Sequence, residues 1–314
     1  MMGILFLLTG PRQKPRASSL PWKYSTTLAG SITTAFARNT LGPLGRPSRY
    51  QDEGDSMTER ALRRLNSAKK AAKAAGAIIK NRFGTDFEVE YKGFKDPVTE
   101  VDRLCEDTIK SILTSEHPDI AFWGEETGNA RPSADTTWIV DPLDGTKNFV
   151  HGYPFVAVSI ALVERDVPRL GVVYDPVREE MFHAVEGEGA FLNERPITVS
   201  ENNKMSDALV VTTLSNYPPH QGQLILMACE YCQGVRRGGA SALDICQVAA
   251  GRLDAVWEWF LKPWDVAAGA IIVQEAQGTV TQPDGSPFDL YQGCLLATNT
   301  NLHADFHRML NSVQ

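Results

Sequence analysis

Seven carboxylates fall in four short runs: Glu100-Val101-Asp102, Gly124-Glu125-Glu126, Asp141-Pro142-Leu143-Asp144-Gly145-Thr146 and Trp264-Asp265. The third run carries the most chemistry. Two acids at the end of a strand are costly unless something positive lies between them, because close like charges cannot both ionise cheaply. The glycine that follows lets the backbone turn tightly and approach a ligand closely. Oxygen donors without a His/Cys cluster select Mg²⁺ or Mn²⁺ over zinc. Asp141 and Asp144 can share two cations about 3.5–4 Å apart, the spacing of two-metal phosphoryl-transfer sites. Asp265, Glu125 and Asp102 would complete the shell. The amides of Gly145 and Thr146, at the start of a helix, suit a phosphate.

Taken singly, each run also has a structural reading. Acid pairs at strand ends cap helices, and Asp102 fits a simple first-turn acid. Glu126 reads as a solvated neighbour, and Asp96 and Asp175, each before a proline, read as turn residues. His303 and His307, four apart on a terminal helix, lack the third ligand and glutamate of a zinc hydrolase and read as surface residues. The Asp-x-Asp-Gly-Thr motif of haloacid-dehalogenase-type hydrolases has one residue between its acids. Here Pro142 and Leu143 both intervene, so that chemistry is excluded.

The positioning elements follow from periodicity. Thr137–Val140 is a short apolar run bounded by turn residues, a buried strand that ends at Asp141. Leu62, Leu65, Ala68, Ala72, Ala75 and Ile79 mark an amphipathic helix over 57–82. Residues 88–94 read as a connector. Thr99 opens a second helix to about Ser115, and Ile120–Trp123 is a strand that delivers Glu125. A helix starts at 145–149. Residues 155–164 and 167–174 form a hairpin through Glu164-Arg165-Asp166, and 179–184 and 209–213 are further strands. Helices over 221–233, 241–253 and 265–277 then alternate with strands near 235, 279–281 and 295–298. The pattern is that of a layered α/β protein with large, partly antiparallel sheets.

The 314 residues, 43% of them hydrophobic, have no apolar run near the ~20 residues that a membrane span needs. Net charge is −7, unevenly spread: residues 1–50 hold seven Lys or Arg and no acid, leaving 24 basic and 38 acidic residues in the rest. An acidic body argues against a nucleic-acid groove. The five scattered cysteines fit a reducing compartment, and Cys229 and Cys232 read as helix neighbours. The acid-free start resembles an organelle transit peptide, which makes the location mitochondrial or plastid; without that role it is cytoplasmic. Alternatively translation starts at Met57, where Ser56-Met57-Thr58-Glu59 reads as a capping box. Residues 1–55 lie outside the fold in either case, as a targeting or disordered extension or as sequence upstream of the start, and 56–314 is a catalytic domain with halves of about 56–200 and 201–314.

Together these runs resemble the inositol monophosphatase family of Mg²⁺-dependent, lithium-sensitive phosphatases. The likeness rests on Asp96-Pro97-Val98-Thr99-Glu100-Val101-Asp102, Gly124-Glu125-Glu126-Thr127, Trp138 through Ile160, and Trp264-Asp265-Val266-Ala267-Ala268-Gly269. The resemblance implies a five-layered αβαβα sandwich, a homodimer, and two or three Mg²⁺ per site. Glu125, Asp141 and the Leu143 carbonyl would hold the first metal, and Asp141, Asp144 and Asp265 the second. Asp102 and Thr146, with Glu125, would position and activate the attacking water, while Gly145 and Thr146 bind phosphate. Lys92 matches a lysine near the metals. In-line attack by a metal-activated water, without a phosphoenzyme, is the expected reaction.

The implied substrate is a small phosphorylated metabolite. Asn148-Phe149-Val150-His151 favours inositol monophosphate, and Glu258 falls where an acid contacts inositol hydroxyls; between Trp257 and Trp259 it also fits a packing or dimer role. Three departures bear on substrate: Lys147 replaces a small polar residue, Lys262 a histidine, and Ser241 a small apolar residue. The alternatives are a 3′(2′),5′-bisphosphate nucleotidase, a fructose-1,6-bisphosphatase or a histidinol-phosphatase, and, from a different class, a protein-binding regulator.

Overall fold

The computed structural model describes residues 57–93, 96–128, 130–214 and 218–313; the expected N-terminal extension lies outside them. In chain order the first elements are α1 (Met57–Arg82), β1 (Val89–Gly93), β2 (Asp96–Thr99), α2 (Glu100–Glu116), β3 (Ala121–Gly124), β4 (Thr136–Asp144) and α3 (Thr146–His151). A meander follows: β5 (Ala157–Glu164), β6 (Val167–Asp175), β7 (Glu180–Val185), β8 (Ala190–Leu192) and β9 (Arg195–Ile197). The second half comprises β10 (Leu209–Thr212), α4 (Gln221–Tyr231), β11 (Gly234–Arg236), α5 (Ser241–Ala249), β12 (Ala255–Trp259), α6 (Pro263–Glu275), β13 (Thr279–Thr281), β14 (Cys294–Thr298) and α7 (His303–Leu310).

Strands β3 to β9 form one seven-stranded sheet in sequence order, and a five-stranded sheet runs β11-β10-β12-β14-β13. Helices α1 and α2 pack on the outer face of the larger sheet, α5 and α6 fill the space between the sheets, and α4 and α7 cover the far face of the smaller one. The result is the five-layered αβαβα sandwich.

Alternation along the strands builds these layers. On β4, Trp138 and Val140 pack towards α1 and α2 while Ile139 packs towards α5 and α6. On β5, Val158, Ile160 and Leu162 take the first side, and Ala157, Ala161 and Val163 the second. Because both faces are buried, these strands read as nearly continuous apolar runs. The β5–β6 hairpin turns on Arg165 and Asp166, both at positive φ (48° and 68°), which matches the strand twist.

Several expectations need correction. The connector at 88–94 is a strand, β1, paired antiparallel with β2; it is exposed except at Val89, so no apolar periodicity marks it. Strand β12, between β10 and β14, was not anticipated. Helix α5 stops at Ala249 and not near 253, with Gly251 at φ +67° beyond its end, and α6 begins at Pro263 rather than Asp265. His303 and His307 are half-buried: His303 bonds Thr298 (2.8 Å) and Thr281 (3.2 Å), and His307 lies 3.0 Å from the Asp284 carbonyl. His303 fastens α7 to the smaller sheet, and His307 ties it to the loop after β13. Among the described residues no helix is long and apolar enough to cross a membrane.

Candidate active site

Strand β4 pairs with β5 in regular antiparallel register as far as Asp141↔Ser159, then resumes at Asp144↔Ala157. Three steps on β4 therefore match two on β5, a bulge of one extra residue at Pro142-Leu143. In a regular strand, residues three apart face opposite ways. The extra residue turns Asp141 and Asp144 to the same face of the sheet. The Leu143 side chain packs into the core under α1 and α2, while its carbonyl lies 3.1 Å from Thr146 Oγ1.

Each acid is held by backbone amides. Asp141 Oδ1 accepts from Leu143 N at 3.0 Å. Asp144 accepts from the amides of Ser241 (3.0 Å), Ala242 (2.8 Å) and Leu243 (3.3 Å), the first turn of α5, where the helix dipole favours a negative charge. Asp265, in the first turn of α6, accepts from Lys262 N at 2.7 Å. Strand β3 runs parallel to β4, and Glu125 N, just past its end, donates to Val140 O at 3.1 Å, which brings Glu125 beside Asp141.

These groups repel one another. Burial, then the charges of Glu125, Asp144 and Asp265, raises Asp141 well above the usual carboxylate range. Burial raises Asp144 to about 7, with Asp244 adding to the effect. Asp265 is likewise raised by burial and by Asp144 and Glu125, against the Lys262 amide. Lys92 Nζ sits between Glu125 (3.0 Å) and Glu126 (2.5 Å). Burial opposes its charge, but the two glutamates together raise its pKa. Glu126 is not solvated as expected: its side chain is 4% exposed and burial lifts it to about 7.

Among the described residues no three His, Cys, Asp or Glu side chains are gathered closely enough to hold a metal ion as they stand. Their oxygens are turned to Lys92, to the α5 amides and to the Lys262 amide. The donor set itself fits a hard divalent cation, since it contains oxygen only and its members carry mutual repulsion that a cation would relieve.

Beside this group, Asp102 is 1% exposed. Its Oδ2 accepts from Thr99 N (2.8 Å) and Thr99 Oγ1 (2.5 Å), the capping box that starts α2, and its Oδ1 faces Thr146 Oγ1 at 2.9 Å. Burial raises Asp102 against these bonds. Gly145 caps α3 at φ +89°, and a Cβ there would come 3.0 Å from Phe155 O and 3.1 Å from Ala240 Cβ, so only glycine fits.

Glu258, on β12, is 1% exposed and accepts from Ser241 Oγ (2.6 Å) and Arg237 Nη1 (3.1 Å). Ser241 therefore touches both parts of the site, Asp144 through its amide and Glu258 through its hydroxyl. Lys147 and Lys262 are exposed.

Sequence reasoning missed four residues. Arg237 pairs with Glu258. Asn148 Nδ2 ties α3 to Phe155 O (2.7 Å) and Gly238 O (3.0 Å). Asp244, raised to about 8 by burial and then Glu258, accepts from Gly239 N. Glu106 holds the loop of Glu125. The signal for Glu106 was its place four residues after Asp102, on the same face of α2.

The sequence model of the inositol monophosphatase family matches residues 62–314. A tomato (Solanum lycopersicum) protein named inositol monophosphatase 3 is 45% identical over 260 residues, covering 79% of this chain and 96% of its own length. A Pseudomonas aeruginosa protein named Nus factor SuhB is 42% identical over 265 residues, 80% of this chain and 95% of its own. Among solved structures, the Thermotoga maritima IMPase superposes with a TM-score of 0.75 at 36% identity, covering 79% of this chain and 97% of its own.

Proposed function

The chain belongs to the inositol monophosphatase family, a family of phosphoric monoester hydrolases, and on that premise we propose that it hydrolyses inositol monophosphate to inositol and phosphate with Mg²⁺. The observation that carries the proposal is the bulge in β4, which turns Asp141 and Asp144 to one face beside Glu125 and Asp265. In this reading Glu125, Asp141 and the Leu143 carbonyl would hold one metal, and Asp141, Asp144 and Asp265 a second, with two or three Mg²⁺ per site in all. Bound Mg²⁺ supplies charge neutralisation and Lewis acidity at the phosphoryl group.

The chain's own residues do the positioning. Thr146 Oγ1 has one proton; given to Asp102 Oδ1, it leaves a lone pair that accepts a hydrogen bond from the attacking water. Glu125, the third member of that group, would activate the same water. The amides of Gly145 and Thr146 hold the phosphate for in-line attack, and no side chain is phosphorylated. Lys92 offsets the charge of Glu125 and Glu126. Glu258, with Ser241 at its side, supplies the hydrogen-bond acceptors that suit a neutral polyol.

The test is phosphate release with Mg²⁺ from inositol 1-phosphate, fructose 1,6-bisphosphate, histidinol phosphate and adenosine 3′,5′-bisphosphate. Preference for inositol 1-phosphate supports the proposal. Preference for the bisphosphorylated nucleotide moves the chain to the nucleotidase reading and shifts attention to Lys147. A homodimer and an N-terminal targeting segment belong to the same reading, the latter supported by seven basic residues and no acid in residues 1–50. A protein-binding role is the second reading, favoured by the relative named Nus factor SuhB. Asp141→Asn separates the two, since a binding role survives it and catalysis does not.

A further inference from the structure

Glu106 lies on α2 one turn after Asp102 and is fully buried. A carboxylate out of water is stabilised only if its oxygens are hydrogen-bonded. Glu106 meets that need with two successive backbone amides: Oε2 accepts from Glu126 N at 2.7 Å and Oε1 from Thr127 N at 2.8 Å. The pair clasps the turn that follows β3, which Gly128 N closes onto Gly124 O at 3.0 Å. Gly124 leaves room for the clasp, since a Cβ there would come 2.2 Å from Glu106 Oε2. Glu125 is the residue between that glycine and the two clasped amides.

We infer that Glu106 is a positioning residue that sets metal affinity by fixing the backbone on which Glu125 is carried; this rests on the reading of Glu125 as a metal ligand. One face of α2 then orients two parts of the site, Thr146 through Asp102 and Glu125 through Glu106. Charged hydrogen bonds to amide N–H groups are stronger than neutral ones and fix direction. A glutamine in its place keeps the volume but turns an NH₂ donor towards an amide donor, so one of the two bonds is lost. Residues that orient a ligand indirectly in this way change metal affinity by about 10–100-fold.

The test is calorimetric titration of Mg²⁺ into full-length wild type, Glu106→Gln and Gly124→Ala, with the melting temperature of each metal-free protein. The alanine displaces the Glu106 carboxylate without altering it chemically. The inference expects Mg²⁺ Kd to rise by about 10–100-fold in both variants. A lower melting temperature with Kd within twofold of wild type makes Glu106 merely structural and overturns it, as does failure of both variants to fold. Absence of Mg²⁺ binding by the wild type overturns the metal-ligand reading beneath it instead.

Discussion

Thr146 Oγ1 lies 2.9 Å from Asp102 Oδ1, a contact that joins the first turns of two helices 44 residues apart in sequence. Thr99 occupies the other oxygen of Asp102 through its amide and its hydroxyl, so the carboxylate has one oxygen fixed and one aimed at Thr146.

Thr146→Ala removes the hydroxyl that presents a lone pair to water and leaves Asp102 on its Thr99 bonds. The expected result is a fall in kcat of about 10²–10⁴-fold, the usual range for a lost acid–base or water-orienting group. Steady-state kinetics at saturating Mg²⁺ check it. Mg²⁺ affinity should hold, because Thr146 contributes no ligand in this account.

Ser241→Ala takes one of two side-chain partners from the buried Glu258. A buried acceptor losing its donor costs about 1–3 kcal/mol. Urea denaturation should show that loss, and KM for inositol 1-phosphate should rise more than kcat falls. An unchanged KM would separate Ser241 and Glu258 from substrate binding.

The metal-free chain should lose stability as pH rises. Asp144 is raised to about 7 and Asp244 to about 8, both first by burial, against an ordinary value of 3.8. A carboxyl whose folded pKa is raised stabilises the fold fully below its unfolded pKa, and that stability is lost as pH rises through the folded value. His183 and His303 act in the opposite sense, since burial lowers both below 6.5, so their penalty appears only in acid. Between pH 6.5 and 8 the carboxyls decide the sign, at roughly 1 kcal/mol per pH unit. Thermal melts in EDTA should fall across this window, and Mg²⁺ should restore more stability at pH 8 than at pH 6.5. A melting temperature that rises with pH in EDTA would contradict this.

The parts of the molecule legible in the sequence were those whose signal is local. The run from Thr137 to Thr146 announces a buried strand, paired acids and a turn within ten residues. The bulge was not legible, because a three-residue spacing of Asp141 and Asp144 on a strand reads as opposite faces until the register with β5 is known. Strand β1 was hidden because its stability comes from backbone pairing with β2 and not from an apolar face. Strand β12 was hidden beneath a chemical reading of Glu258. Glu106 gave only its helical spacing from Asp102, because its partners are amides 20 and 21 residues away, and backbone donors leave no mark in residue type.

The central claim is that the bulged end of β4 carries the metal-binding carboxylates of a phosphomonoesterase. Its most direct test is phosphate release from inositol 1-phosphate across an Mg²⁺ titration, for wild type and Asp141→Asn side by side. The account predicts Mg²⁺-dependent turnover by wild type and a loss on the order of 10³-fold or more in the variant, which removes the acid common to both proposed metals. Turnover by Asp141→Asn equal to wild type at every Mg²⁺ concentration would contradict it.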